Sequence, residues 1–226
     1  MKRGKAKVNH KLLLTSAGIV PEIRDNFLAL LTKKPAETKV AFITTAAYGE
    51  SSNPTWMEKD RELLQNCGIT EIEDLDLKDK TQKELKNILA DKDIIYVNGG
   101  NTFYLLYWVR KSDFGPVLAD FLGKSGLYVG VSAGSYIACP TIEQATWKHQ
   151  DRNRIKITDF TALNLVPFLI TAHFEEKYRP IVDQAAKRTQ YPIVALTNTQ
   201  AILVKNKSIT FTGPGKKECW NGFKER

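Results

Sequence analysis

The sequence predicts an α/β protein: a mostly parallel sheet with helices on both faces and an antiparallel hairpin at one edge. Three observations carry that expectation. Continuous apolar runs such as KVAFITTAA (39–47) lack the alternation of a half-exposed strand, as burial on both faces of a parallel sheet requires. Stretches of helix length with apolar residues three and four apart separate these runs, the pattern of strand–helix–strand crossovers. The last two strand candidates meet at a KNKS turn (205–208) too short to hold a crossover helix, so they must pair antiparallel.

In chain order, KLLLTSA (11–17) predicts the first strand. PEIRDNFLALLTKK (21–34) predicts a helix, with Ile23, Phe27, Leu30 and Leu31 on one face. After the strand at 39–47, NPTWMEKDRELLQNCG (53–68) predicts a helix opened by Asn53 and Pro54 and closed by Gly68. EIEDLDL (71–77) is weaker and more charged, as suits an edge strand, and TQKELKNILADK (81–92) is a further helix. DIIYVNGGN (93–101) is a buried strand leading into the helix TFYLLYWVRK (102–111), and GLYVGVSAG (126–134) is the next strand. FLITAHF (168–174), PIVALTN (192–198), AILVKN (201–206) and SITFTG (208–213) complete the set. All are expected in one sheet.

At 226 residues the chain is long enough to bury one full core. Residues 1–10 are expected to be a flexible basic tail and 11–226 a single catalytic domain. The basic start before KLLL imitates a signal peptide. Its apolar part is short, is interrupted by Thr15 and Ser16, and runs into PEIRDNF rather than a small-residue cleavage site. Cys67, Cys139 and Cys219 are odd in number and lack CxxC spacing, which argues against a disulfide framework or a zinc site and for a cytoplasmic location. The net charge of +8 would suit nucleic acid, but its placement does not. Lys2, Arg3, Lys5, Lys7 and Lys11 cluster at one end and Lys216, Lys217, Lys224 and Arg226 at the other, with no nucleic-acid motif beside them.

Ligands of such sheets collect at the carboxyl ends of the strands, and three candidate features fall there. One is YVGVSAGSYIAC (128–139), in which Ser132 lies between Gly130 and Gly134. A G-x-S-x-G elbow presents a nucleophilic hydroxyl on a tight strand-to-helix turn; a plain glycine-rich turn has the same residues, and the pentapeptide alone leaves both readings open. The second is Gly99–Gly100, whose bare N–H groups, with that of Ala133, can face a developing oxyanion. The third is His173, the histidine at a strand end. His10 falls in the tail and His149 in a polar stretch, so His173 is the expected base for Ser132.

YVNGGNTFYLLYWV, GLYVGVSAGSYIACPTI and LNLVPFLITAHF, in this order and spacing, resemble the peptidase E (α-aspartyl dipeptidase) family, whose wider kin include cyanophycinase. The resemblance spans about Asp93 to Gly213. It implies a flavodoxin-like three-layer sandwich similar to class I glutamine amidotransferases, with serine in place of their cysteine. It further implies a serine exopeptidase acting on short peptides with an N-terminal acidic residue, without metal or cofactor. Ser132 would then be the nucleophile and His173 the base, with Gly99, Gly100 and Ala133 around the oxyanion.

Two departures from the family pattern stand out. The acidic residue that relatives carry late in the chain aligns with ALTNTQAI, and the position falls on Asn198. Asp151 and Glu175 are alternative third members. Arg179, the candidate for binding a substrate carboxylate, follows His173 by only six residues, a shorter spacing than in relatives. The expected partner is a small peptide, with a homodimer left open and neither nucleic acid nor membrane expected. The rival readings are another amide or ester hydrolase of the superfamily and a binding module with a weakened triad.

Overall fold

A computed structural model describes residues 10–148, 151–206 and 208–226, so the first nine residues of the expected tail and His149 lie outside the described residues. The main sheet has seven strands: β1 (Lys11–Thr15), β2 (Lys39–Ile43), β3 (Glu71–Leu75), β4 (Ile94–Val97), β5 (Leu127–Val131), β8 (Ala201–Lys205) and β9 (Ser208–Thr212). Their order is β3-β2-β4-β5-β1-β8-β9. The first five strands run parallel, with β5 between β4 and β1. β8 pairs antiparallel with β1 and carries β9 as the edge hairpin. Charged β3 forms the other edge, as its sequence predicts.

Side chains alternate across the sheet, so consecutive residues feed two cores. Leu12 and Leu14 of β1, Ile43 of β2 and Val97 of β4 join one core; Leu13, Phe42 and Tyr96 join the other. The first core receives α4 (Gln82–Ile88), α5 (Thr102–Lys111) and α6 (Phe114–Gly123), through Leu85, Phe103, Leu106, Leu118 and Leu122. The second receives α1 (Arg24–Leu28) and α3 (Trp56–Asn66), through Phe27, Met57 and Leu64. This is a three-layer α/β sandwich.

Local signals fix several boundaries. The Thr81 hydroxyl and the Glu84 carboxylate bond each other's backbone N–H groups, a capping box at the start of α4. The Asn101 side chain accepts from Tyr104 N at 3.0 Å and caps α5. Beyond α3, Gly68 adopts φ +87° and its N–H bonds the Gln65 carbonyl, a left-handed stop that favours glycine.

Four expectations need correction. FLITAHF and PIVALTN do not join the main sheet: β6 (Leu169–Thr171) and β7 (Ile193–Ala195) pair parallel with each other in a separate three-stranded sheet with β10 (Glu218–Trp220). Both flanks of β1 are already occupied, by β5 and β8, so the small sheet packs its Ile170, Val194 and Ala195 into the first core instead. The helix expected over 21–34 is a 3-10 turn, Pro21–Ile23, followed by the short α1. The Leu30 carbonyl beyond it accepts from Lys11 Nζ. The strand expected over 39–47 stops at Ile43, and α2 (Thr45–Glu50) follows; Thr45 Oγ1 is tied to Asp76 and Leu77 rather than to a ladder. Finally, α6, α8 (Arg179–Ala186) and β10 had no predicted counterpart. Among the described residues, no helix is long and apolar enough to cross a membrane.

Candidate active site

Ser132 sits between β5 and α7 (Ala133–Ile137) at φ +48°, ψ −103°. A non-glycine residue in that region costs on the order of 1–3 kcal/mol and persists only where its surroundings enforce it. Here they do. The Ser132 N–H bonds the Thr15 carbonyl at 3.0 Å, and the Ser135 hydroxyl donates to the carbonyls of Thr15 and Gly130 at 2.8 Å each. A β-carbon on Gly130 would lie 2.6 Å from the Gly134 oxygen, and one on Gly134 would lie 2.2 Å from the Val97 oxygen. Both obstacles are backbone, so the elbow requires glycine at both positions.

His173 reaches the serine from the small sheet. It lies two residues beyond β6 at φ +54°, and its Nε2 is 3.1 Å from Ser132 Oγ. Its Nδ1 is 2.7 Å from Asn198 Oδ1. An amide oxygen only accepts, so it keeps the proton on Nδ1 and leaves the Nε2 lone pair facing the serine hydroxyl. Ser16, just past β1, secures this arrangement. Its hydroxyl accepts from the His173 backbone N–H at 2.7 Å and donates to Asn198 Oδ1 at 3.2 Å. Burial pushes the imidazole pKa below 6.5; the Asn198 hydrogen bond opposes this and the Lys148 charge adds to it. The histidine is therefore neutral, and basic, at neutral pH.

The turn after β4 closes on the same point. A β-carbon on Gly99 would lie 3.4 Å from Ser132 Cβ, so this backbone lies against the nucleophile. Gly100 takes φ +137°, and its absent side chain leaves room for the Ala46 carbonyl, which a β-carbon would approach to 2.2 Å. The Ala133 N–H, first in α7, has no acceptor within its own helix. Gly99 thus lies against Ser132, with Ala133 next to the serine in the chain. Beneath the turn, Asn98 is fully buried and donates to Asp60 Oδ2 at 2.6 Å; burial pushes the Asp60 carboxyl up to about 6.

The other candidates lie apart from the histidine. Asp151 Oδ2 accepts from the Thr102 N–H at 2.9 Å, at the start of α5, and its carboxyl is raised by burial against that bond. Glu175 is exposed and pairs with Lys177 at 2.7 Å. The Nδ1 partner in the structure is Asn198, not either carboxylate. The Arg179 guanidinium is held by Glu176 and by Glu218, the latter at 2.8 Å, and lies over the Phe174 and Trp220 rings. It clasps α8 to β10. His10 lies just before β1, at the opposite end of the strand from Thr15 and the serine.

Sequence reasoning missed four contributors. Ser16 was legible as a polar residue ending an apolar strand at its carboxyl end. Asn98 precedes the glycine pair that was singled out. Gln144 and Lys148 line a small cavity with Ser132, Tyr136, Ala145 and Asp151. They come from an irregular connection whose spacing carries no periodic signal.

The family model for peptidase family S51 matches residues 12–212. The chain is 31% identical over 176 residues to an uncharacterized peptidase of Listeria monocytogenes, covering 75% of this chain and 83% of that one. It is 33% identical over 182 residues to an uncharacterized peptidase of Pasteurella multocida, covering 78% and 86%. Peptidase E of a Nostoc species is 33% identical over 155 residues, covering 69% of this chain and 58% of that protein. Among solved structures, a putative peptidase E protein from Listeria monocytogenes superposes with a TM-score of 0.78 at 26% identity, over 92% of this chain and all of that one.

Proposed function

The chain belongs to peptidase family S51 and is a peptidase; from that premise we propose a serine-type exopeptidase that cleaves short peptides, dipeptides with an N-terminal acidic residue above all. The observation that carries this reading is the continuous contact from Ser132 Oγ through His173 to Asn198, at 3.1 and 2.7 Å. Ser132 Oγ attacks the scissile carbonyl while its proton passes to His173 Nε2. The Gly99, Gly100 and Ala133 amides hold the oxyanion. The imidazolium then protonates the departing amine, and a water activated by the same nitrogen releases the acyl group. Asn198 orients the ring but adds no counter-charge. Free Cys67, Cys139 and Cys219 support a reducing, cytoplasmic setting.

A fluorophosphonate probe tests the serine directly. Wild-type protein should be labelled at Ser132 and should hydrolyse an Asp-Xaa dipeptide, and Ser132→Ala should lose both. Hydrolysis that survives in the alanine variant would sink the assignment.

A further inference from the structure

We propose that Lys148 and Gln144 form the subsite that reads an acidic side chain on the N-terminal residue of the substrate, and that Asp151 takes its free α-ammonium. This rests on the serine-exopeptidase reading above and deepens it. The cavity at Ser132 is lined by Tyr136, Gln144, Ala145, Lys148 and Asp151, so these residues lie beside whatever is bonded to the serine.

Gln144 is 1% exposed, and among the described residues neither its Nε2 nor its Oε1 has a hydrogen-bond partner. The Cys139 thiol beside it is too weak a group to change that. A buried amide left unsatisfied is costly, and its position on the wall of this cavity gives it a use when a ligand enters. Among the described residues, Lys148 is likewise short of partners. One donor of its ammonium goes to the Ala172 carbonyl. The two carboxylates that act on it through space are engaged elsewhere, Asp151 with the Thr102 N–H and Glu175 with Lys177. Burial without a contacting counter-charge pushes this amine down to about 8.

The remaining ammonium protons and the Gln144 Nε2 donors match the lone pairs of a carboxylate. Asp151, on the same wall, would repel that carboxylate and attract an ammonium. An N-terminal aspartyl residue presents both groups on adjacent carbons, next to the carbonyl that Ser132 attacks. Arg179 is not needed for this, because its guanidinium already has two carboxylates.

Aspartyl and alanyl p-nitroanilides, which lack a C-terminal carboxylate, isolate the side chain. Lys148→Met should lower the aspartyl-to-alanyl ratio of kcat/KM by roughly 10–100-fold, the size of a lost charge-assisted hydrogen bond, while Lys148→Arg should retain most of it. Lys148 also holds Ala172, beside His173, so Gln144→Leu supplies a second test that leaves that bond in place; it should lower the ratio by roughly 3–10-fold. Equal losses on both substrates, or an unchanged ratio in both variants, overturn the subsite. Fluorophosphonate labelling separates the two failures: labelled protein without the ratio change loses only the subsite, and unlabelled wild-type protein loses the serine mechanism.

Discussion

The two walls of the active site are built in different ways. One is the end of the main sheet, where Ser132, Ser16 and Gly99 sit at the carboxyl ends of parallel strands and backbone carbonyls lie within 3 Å of where a glycine side chain would be. The other is the connection between α7 and β6, which carries Gln144, Lys148 and Asp151. Among its described residues, the regular structure is one 3-10 turn, Glu143–Thr146, and one isolated bridge between Thr141 and Thr161. In the proposed mechanism the first wall does the bond-breaking, and it tolerates almost no change of shape. In the proposed subsite the second wall reads the substrate, and it is held by a few side-chain bonds. Chemistry sits on the rigid part, and selectivity on the part that sequence change can remodel without disturbing the sheet.

The sharpest break is at the serine. Ser132→Ala should abolish hydrolysis while the melting temperature barely moves, because the elbow is shaped by its glycines and not by the hydroxyl. His173→Ala should cost nearly as much, and the double variant little more, since the two act as one unit. Additive losses would show that they do not. Next is the elbow itself. Gly134→Ala drives a β-carbon to 2.2 Å from the Val97 carbonyl, and about 3 kcal/mol of stability should be lost, as in strongly overpacked cores. Urea unfolding checks this, and a neutral result would mean that the turn is softer than its contacts suggest.

Asn198→Asp comes third. A carboxylate on Nδ1 stabilises the imidazolium, so kcat should rise by about tenfold or more, a modest part of the loss seen when a protease triad's carboxylate is made an amide. The pH profile carries the sign. In the parent the histidine pKa is depressed by burial, so the acid limb of kcat/KM should lie below pH 6.5. The added negative charge raises that pKa and should move the limb upward. A flat kcat with an unmoved limb would mean that the pair seen at 2.7 Å does not govern the base.

The reading wall gives the smaller effects. Lys148 titrates with a pKa lowered by burial to about 8, and the groups facing it are Asp151, Glu175, His173 and the Tyr178 ring. Only its protonated form attracts a carboxylate. Selectivity for an acidic peptide over a neutral one should therefore be full below that pH and fall as pH rises through it. Last, Arg179→Ala should lower the melting temperature, because its clasp on Glu176 and Glu218 is lost, without changing acidic selectivity. A selective loss there would return the carboxylate-reading role to Arg179.

The same division explains what the sequence disclosed. Ser132, His173, Gly99 and Gly100 were legible because each follows an apolar run; Ser132 and the glycines share the rim of the main sheet, whereas His173 reaches it from the small one. Asn198 was legible through the resemblance to relatives that carry an acidic residue at its position, and the structure sets its Oδ1 on the histidine. The second sheet was not legible. β6 and β7 are only three residues each and read like any buried strand; which sheet they join depends on both flanks of β1 being taken by β5 and β8, a tertiary fact. Lys148 and Gln144 were hidden because an irregular connection places side chains by hydrogen bonds from distant segments, such as the Ala172 carbonyl for Lys148. Arg179 is adjacent in sequence to the histidine region, but Glu176 and, from β10, Glu218 occupy its guanidinium.

The Ser16 hydroxyl has a further consequence, for the order in which the protein becomes an enzyme. Its bonds to the His173 backbone and the Asn198 amide span 157 and 182 residues of chain. The elbow needs mainly its own glycines and the neighbouring strands, whereas the base is fastened only when the two ends of the polypeptide meet. Contacts of such long sequence separation carry a large loop-closure cost and form late. β1 and β8 pair across comparably long separations, so during refolding the base should be set only as the main sheet closes. In the proposed mechanism hydrolytic power then arrives with that closure and not with the elbow alone.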